Sequence, residues 1–143
     1  MYVSALLENK GADVVTAAPN TTINQAVALL AENKIGVLVI SANGKSVDGI
    51  LSERDIVRAL AEQGNDLGST DAATLMSRDV VSCAPGDTIK SLMGLMTERR
   101  IRHLPVLEDG ILAGIVSIGD LVKHRLRELE DEASDLRTYI ATA

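Results

Sequence analysis

The stretch Gly114-Ile115-Val116-Ser117-Ile118-Gly119-Asp120 has a near-copy earlier in the chain, Gly49-Ile50-Leu51-Ser52-Glu53-Arg54-Asp55. Both copies consist of a glycine, two apolar residues, a serine, two variable residues and an aspartate. The apolar pair indicates the end of a buried strand, and the serine stands where the N-cap of a following helix is expected. The sequence therefore predicts two places where a strand runs directly into a helix.

The Ser-x-x-Asp pattern allows two interpretations. In the first, the serine and aspartate only cap the helix by accepting hydrogen bonds from its unpaired N–H groups. In the second, the helix N-terminus and the serine hydroxyl bind a phosphate, and the carboxylate accepts hydrogen bonds from the vicinal hydroxyls of a ribose. Capping is the favoured interpretation of a single copy, whereas two copies at matching places favour a site for a phosphorylated ribose.

Composition indicates one compact unit or two small halves that share a core. The chain has 143 residues, of which 46% are hydrophobic, and its only aromatic residues are Tyr2 and Tyr139. At this length roughly two-thirds of the unfolded surface is buried on folding. The core is therefore expected to consist of Val, Ile, Leu, Ala and Met, as in helices packed on a Val/Ile-rich sheet.

Charge and cysteine usage argue against several partners. The net charge of −6 lacks the basic footprint of a nucleic-acid-binding protein, and no run of about 18 apolar residues indicates a membrane span. Cys83 is the only cysteine, which excludes an internal disulfide and a cysteine-type zinc site, and its counterpart Ala17 indicates a small packing residue. A cytoplasmic protein without a membrane or nucleic-acid partner is expected.

The two stretches belong to a longer repeat. Val14-Val15-Thr16 corresponds to Val80-Val81-Ser82, and Ala18-Pro19 to Ala84-Pro85, in each case 66 positions later. Beyond the turn at Asp109-Gly110 the offset is 65, so the second copy lacks one residue in a turn, where repeats tolerate such a loss.

Each copy predicts the element order β-α-β-β-α. The expected strands include 14–16, 35–40 and 47–51 in the first copy and 80–82 in the second, and short helices lead in at 2–9 and 71–76. Thr22 and Gln25 form a predicted capping box. Because one copy is too small to bury its sheet faces, the halves are expected to pack face to face about a pseudo-twofold axis, which creates two clefts.

This arrangement resembles a tandem cystathionine-β-synthase (CBS) domain pair, also called a Bateman module, of the stand-alone bacterial type. The likeness rests on the strand end before each Ala-Pro turn, the run Ile101-Arg102-His103-Leu104-Pro105-Val106, and both Gly-to-Asp stretches. The implied fold is α/β (α+β), with two tandem β-α-β-β-α repeats and a long C-terminal helix. The expected division is 1–70 for the first repeat with its N-terminal helix, 71–127 for the second, and 128–143 for a C-terminal helical extension.

The resemblance implies a regulatory module that binds an adenosyl ligand in the clefts and passes the change to an effector protein. Members of the family bind AMP, ADP, ATP, NAD or S-adenosylmethionine. The alternative is a ligand-free adaptor that acts through dimerisation. An enzyme is the weakest class, because the sequence shows no metal-ligand cluster, no nucleophile beside a base and no Gly-rich phosphate loop. No catalytic or metal-binding residue is therefore assigned.

Carried over by position, the family pattern assigns roles to individual residues. Thr16 and Ser82 would meet the adenine edge, Asp55 and Asp120 the ribose hydroxyls, and Ser52 and Ser117 the phosphate. The segments from Ile35 and from Ile101 would border base and phosphate. The predicted ligand-binding residues are Thr16, Ile35, Gly36, Val37, Ser52, Arg54, Asp55, Ser82, Ile101, Arg102, His103, Leu104, Pro105, Ser117 and Asp120.

The two clefts are expected to be unequal. The first repeat has Gly36 and Val37 where the second has Arg102 and His103, and it has Val39 in place of Pro105. Conversely, Arg54 in the first Ser-x-x-Asp corresponds to a glycine in the second. Because a guanidinium makes paired hydrogen bonds to phosphate, this distribution predicts one site per chain or two classes of site.

An apolar stripe at the C-terminus predicts a homodimer. Its residues, with gaps of 4 and 3 in alternation, are Val122, Leu126, Leu129, Ala133, Leu136 and Ile140. This is the spacing of a coiled-coil seam, whose apolar edge needs either a second subunit or the chain's own domain to cover it.

Overall fold

The computed structural model of the chain describes residues 1–142 and has the predicted mixed α/β architecture. The first half contains α1 (Val3–Lys10), β1 (Thr16–Ala17), α2 (Ile23–Asn33), β2 (Val37–Ile40), β3 (Gly49–Ser52), α3 (Glu53–Gln63) and a 3₁₀ helix (Gly64–Ser69). The second half contains α4 (Ala72–Leu75), α5 (Ile89–Arg99), β4 (His103–Glu108), β5 (Ile111–Ser117) and α6 (Ile118–Thr142).

Equivalent caps begin and end the first long helix of each repeat. The predicted capping box opens α2, since Thr22 Oγ1 accepts from the Gln25 N–H at 3.2 Å and Gln25 Oε1 accepts from the Thr22 N–H at 3.0 Å. Thr88 caps α5 through the Ser91 N–H at 3.1 Å. Both helices end at a left-handed residue, Lys34 or Arg100, with φ of 55°. The repeat seen in the sequence is therefore repeated in backbone conformation.

The strands form two sheets. In the first, β1 runs parallel to β2 and pairs Thr16 with Val39, and β3 is antiparallel to β2. In the second, β4 and β5 are antiparallel and His103 lies opposite Ser117. Each Ser-x-x-Asp stretch thus follows the last strand of its sheet, as predicted.

The prediction of a strand at 80–82 is wrong. The structure has only an isolated parallel bridge there, between Cys83 and Val106. In the first repeat the N–H of Val39 donates to the carbonyl of Val15 at 3.4 Å. The second repeat has Pro105 at the position of Val39, and proline has no N–H to donate to Val81, so the equivalent ladder bond cannot form.

Two hydrophobic clusters fill the interior, one against each sheet. The first includes Leu38, Ile40 and Leu51 from the three-stranded sheet. The second includes Leu104, Val106 and Val116 from the two-stranded sheet, and it also contains the buried α1 residues Val3, Leu6 and Leu7. The helix that precedes the first repeat in sequence therefore packs with the core of the second. The division at residue 70 stays a prediction, and the packing of α1 does not follow it.

Each repeat is preceded by a short lead-in segment, α1 in the first half and α4 with Met76 in the second. Each lead-in segment packs against a strand at a glycine. A Cβ at Gly114 would lie 2.8 Å from Leu7 Cδ2, and a Cβ at Gly49 would lie 2.5 Å from Met76 Sδ. Any larger residue would push these side chains away, because real Cβ atoms do not approach so closely. The first glycine of both Gly-to-Asp stretches therefore lets a side chain of the preceding segment pack directly against the strand backbone.

The last helix, α6, is one element of 25 residues. The predicted boundary between 127 and 128 falls inside it. Leu121 is its buried residue, whereas much of the apolar stripe is exposed, including Leu126, Leu129, Leu136 and Ile140. Across residues 1–142, the helices all lack the combination of length and apolarity that crossing a membrane demands.

Candidate functional site

A cavity of about 430 Å³ lies at the start of α3, where segments of both repeats meet. Its first wall comes from β2, β3 and the first turns of α3, and its second wall from the segment before α5 and from the start of β4. The lining residues are Gly36, Val37, Ile50, Ser52, Glu53, Arg54, Asp55, Arg58, Ser77, Asp79, Val80, Val81, Arg100, Ile101, Arg102 and His103.

The first Ser-x-x-Asp forms a reciprocal cap at this cavity. Ser52 Oγ accepts from the Asp55 N–H at 3.2 Å, and Asp55 Oδ2 accepts from the Ser52 N–H at 2.9 Å. The capping interpretation is therefore correct for Ser52 and Asp55. It is also compatible with ligand binding, because a carboxylate has about four acceptor sites and this bond occupies one of them. The cap orients Asp55 along the wall of the cavity.

A backbone hydrogen bond ties the start of each Ser-x-x-Asp helix to the segment that precedes the neighbouring strand. The Glu53 N–H donates to the Gly36 carbonyl at 2.9 Å, and the Ile118 N–H donates to the Arg102 carbonyl at 2.8 Å. A Cβ at Gly36 would lie only 3.1 Å from Glu53 Oε1. The glycine in the first repeat therefore leaves the room that the Glu53 carboxylate occupies.

Four arginine side chains line the cavity, two from α3 and two from the stretch that joins α5 to β4. They are Arg54, Arg58, Arg100 and Arg102. Within residues 1–142 the salt bridges join other residues, so these guanidinium groups have no carboxylate partner in the described part of the chain. A second depression of about 360 Å³ adjoins the first and shares three of the four arginines. In a chain of net charge −6, this concentration of unpaired positive charge suits a phosphorylated ligand.

His103 lines the same cavity and is half-buried. Burial lowers its pKa, and the positive charges of Lys10 and Arg102 lower it further, against opposing effects of Asp120 and Glu53. The imidazole is therefore neutral at pH 7, with one nitrogen able to donate a hydrogen bond and the other able to accept one.

The cavity brings together part of the predicted set of site residues. Predicted residues that line it are Gly36, Val37, Ser52, Arg54, Asp55, Ile101, Arg102 and His103. The predicted residues outside its lining are Thr16, Ile35, Ser82, Leu104, Pro105, Ser117 and Asp120. Leu104 and Pro105 are fully buried in β4. Val80 and Val81, directly before Ser82, offer the cavity an apolar edge.

Sequence reasoning missed several lining residues. They are Ile50, Glu53, Arg58, Ser77, Asp79, Val80, Val81 and Arg100. Arg58 carried a usable signal, because it stands one helical turn after Arg54 and therefore on the same face of α3. Arg100 is the C-cap residue of α5, with φ of 55°.

The second Ser-x-x-Asp has the same cap but a different neighbour. Asp120 Oδ2 accepts from the Ser117 N–H at 2.9 Å, and Ser117 Oγ accepts from the Asp120 N–H at 3.1 Å. In addition, the ammonium of Lys10 donates to Asp120 Oδ2 at 2.7 Å. Burial raises the pKa of Asp120, but the hydrogen bonds from Lys10 and Ser117 outweigh it, so the pKa is lowered overall. The two helix starts are therefore not equivalent.

Cys83 is a free cysteine buried in the second hydrophobic cluster. Burial raises the pKa of the Cys83 thiol to about 12, with a contribution from Asp87, so the thiol is protonated and serves packing. Between residues 1 and 142 the structure contains no group of three or more His, Cys, Asp or Glu side chains arranged to hold a metal ion.

Comparison with known proteins gives consistent matches. The family model for the CBS domain matches residues 9–62 and 72–127. The CBS domain-containing protein YhcV of Bacillus subtilis is 32% identical over 124 residues, which are 87% of this chain and 87% of that protein. A CBS-domain-containing protein from Agrobacterium tumefaciens, known from a crystal structure, is 45% identical with a TM-score of 0.83, covering 87% of this chain and 99% of that chain.

A further solved structure contains a ligand. The CBS domain protein from Pyrobaculum aerophilum complexed with AMP is 29% identical to this chain, with a TM-score of 0.77, and the match covers 91% of this chain and 97% of that chain. The two family matches span most of the sequence, and the doubled caps, sheets and helix starts agree with them. The chain therefore belongs to the CBS domain family, as a tandem pair of CBS domains.

Proposed function

We propose that this CBS pair is a regulatory module that binds a phosphate-bearing adenosyl compound in the cavity at the start of α3. The observation that carries the proposal is the convergence of Ser52 and Asp55 with four unpaired arginines on one cavity. A relative of similar fold holds AMP, which supports an adenosyl ligand for this chain. In this proposal the lining residues bind the ligand and do not transform it.

Each group in the cavity has a chemical task in this proposal. Asp55 accepts hydrogen bonds from the ribose hydroxyls, because its carboxylate retains free acceptor sites beyond the cap. Val80 and Val81 contact the flat apolar face of the adenine. Arg54, Arg58 and Arg102 bind the phosphates through charge-assisted hydrogen bonds.

The charge of the cavity ranks the candidate ligands. ATP, ADP, AMP and NAD carry phosphates, whereas the sulfonium group of S-adenosylmethionine is a cation. The four arginines of the lining outnumber its three carboxylates, Glu53, Asp55 and Asp79, so the net positive charge disfavours a cation such as S-adenosylmethionine. More than one phosphate is favoured over one, since three of the arginines also border the adjoining depression.

A thermal-shift screen of AMP, ADP, ATP, NAD and S-adenosylmethionine tests the proposal. A ligand that binds only the folded state, at a hundred times its Kd, stabilises it by about 2.7 kcal/mol, which raises Tm by several degrees. The phosphorylated compounds are expected to raise Tm and S-adenosylmethionine to raise it less. Asp55→Ala should reduce these shifts, while the matched substitution Asp66→Ala, in the 3₁₀ helix outside the cavity, should not.

The absence of any shift, with no calorimetric heat for any of the five compounds, would contradict the proposal and favour the ligand-free adaptor. The adaptor draws on one specific observation, the exposed apolar stripe of α6. We propose that this stripe pairs two chains into a homodimer in either case, because an apolar seam of this length needs a cover.

A further inference from the structure

Lys10, the last residue of α1, reaches the second Ser-x-x-Asp with both of its polar contacts. Its ammonium donates to Asp120 Oδ2 at 2.7 Å and to the main-chain carbonyl of Ile115 at 2.7 Å. The side chains of Lys10 and Asp120 are 28% and 24% exposed, so both are partly shielded from solvent. Both acceptors belong to the repeated stretch from Gly114 to Asp120.

At the equivalent position of the first repeat, a backbone segment takes the place of the lysine. Ile50, the counterpart of Ile115, exchanges two backbone hydrogen bonds with Ser77, at 3.0 and 2.8 Å. No lysine is involved there, and Asp55 has its own helix cap as its described hydrogen-bond partner. Ile50, Ser77 and Asp55 all line the cavity that we propose as the nucleotide site. By correspondence, Ile115, Lys10 and Asp120 mark the equivalent place in the second cleft.

The difference originates in the length of the lead-in segments. Leu7 and Met76 occupy matching places, each against the first glycine of a Gly-to-Asp stretch. Six residues separate Leu7 from Val14, whereas three separate Met76 from the corresponding Val80. The longer connection in the first repeat contains Lys10 and Gly11, and Gly11 ends α1 with φ of 96°. The extra residues bring Lys10 to the position from which it contacts Asp120.

Asp120 is therefore committed to a cation inside the same chain. The Ser117 N–H and the Lys10 ammonium both bond to Asp120 Oδ2, so a ribose would be confined to Oδ1 or would have to displace the ammonium from its two short hydrogen bonds. Its phosphate would find no arginine at position 119, where Gly119 replaces Arg54. Lys10 also adds positive charge near His103, which stands between the two helix starts.

We propose that the helix start at Ser117 and Asp120 is a second nucleotide site that Lys10 keeps closed by placing its ammonium between the Ile115 carbonyl and the ribose-binding carboxylate, so that the chain binds one nucleotide and not two. This proposal rests on the proposed function of the first site. It assigns Lys10 as the residue that determines stoichiometry, although it lies in the N-terminal helix and outside both Ser-x-x-Asp stretches.

Calorimetric titration with AMP tests this assignment, because AMP has the ribose and a single phosphate. The wild-type chain is expected to take up one AMP. Lys10→Met, which keeps the apolar stem and removes the ammonium, is expected to take up two, and Lys10→Met combined with Asp120→Ala is expected to return to one. Lys90→Met, at an exposed lysine of α5, serves as the matched control and should keep the wild-type stoichiometry.

The outcomes separate the two proposals. Two AMP molecules bound by the wild-type chain, or one bound by a folded Lys10→Met variant, would overturn the role of Lys10 and leave the first site intact. No binding by any of the proteins would instead overturn the proposed function, and this inference with it. Circular dichroism establishes that each variant is folded.

A measurement on the wild-type chain covers the case in which Lys10→Met does not fold. Acetylation by acetic anhydride, followed by peptide mass spectrometry, is expected to modify Lys10 several-fold more slowly than Lys90, because two acceptors enclose the Lys10 nitrogen. Equal rates at the two lysines would contradict the closed second site.

Discussion

At the scale of single residues, arginines supply the positive charge of the cavity. Arg102 lines both the cavity and the adjoining depression, and it has no carboxylate partner among the residues of the salt bridges found in 1–142. Arg99, three positions earlier, lies in the last turn of α5 and outside both linings. The two residues therefore form a matched pair for testing phosphate recognition.

Arg102→Ala is expected to weaken ATP binding at least tenfold, because a hydrogen bond between charged groups contributes about 1.5–3 kcal/mol. Calorimetric titrations at low and high salt measure both the Kd and its salt dependence, and the variant should show the smaller dependence. Arg99→Ala is the control and should bind as the wild-type chain does. Equal effects of the two substitutions would indicate a general charge effect and not a phosphate contact.

His103 links the cavity to pH. Because burial lowers its pKa below the ordinary value of 6.5, the unfolded chain binds a proton here at higher pH than the folded chain does. The contribution of His103 to the free energy of unfolding is therefore complete above pH 6.5 and is lost as the pH falls below it. His103→Gln is expected to reduce the fall in Tm between about pH 7 and pH 5.5.

Thermal unfolding at both pH values, followed by circular dichroism, makes the measurement. His124→Gln is the control, because His124 lies in α6 outside the lining of the cavity, with its Nε2 2.7 Å from the Glu128 carboxylate. That substitution should not reduce the acid-induced loss. A His103→Gln variant that loses as much stability as the wild-type chain would show that other groups account for the pH dependence.

At the scale of elements, α6 has two roles along its length. Its first turn carries the Asp120 cap and the buried Leu121, and the remainder presents the apolar stripe. Leu136 is 59% exposed and Ile140 is 66% exposed, so the far end of the helix contributes little to the core of its own chain. A helix of this kind gains most from a partner that covers the stripe.

Leu136→Lys combined with Ile140→Lys is expected to convert a homodimer to a monomer, because charges at a coiled-coil seam must be desolvated when two helices pair. Light scattering at micromolar concentration gives the mass. Thr138→Lys is the control, since Thr138 lies off the seam and its hydroxyl donates to the Ser134 carbonyl of the same helix. A wild-type chain that is already monomeric under these conditions would contradict the dimer.

At the scale of the whole molecule, the lead-in segments tie the chain together. The helix before the first repeat completes the core under the second sheet, and the segment from the 3₁₀ helix to Met76 completes the core under the first. Neither repeat thus has a core made only of its own consecutive residues. The cavity lies where the start of α3 meets residues 77–81 and 100–103 of the second half, so its shape depends on the packing of both halves.

The sequence by itself determined the features that depend on neighbours along the chain. The doubled repeat is visible in the sequence itself. The helix starts were predictable because the caps at Thr22, Ser52 and Ser117 are hydrogen bonds between residues three positions apart. The apolar composition of the core and the inequality of the two repeats were also predictable, because they are matters of residue type at matching positions.

Only the tertiary structure decided which distant residues meet. It places Ser52 and Asp55 of the first repeat with Ile101 to His103 of the second, and it brings Lys10 to Asp120, 110 positions away. It also shows that no strand forms at 80–82, because the effect of Pro105 on this segment depends on how the segment aligns with β4. The physical reason is that caps and turns are local hydrogen bonds, whereas these pairings result from how two cores and two lead-in segments pack against each other.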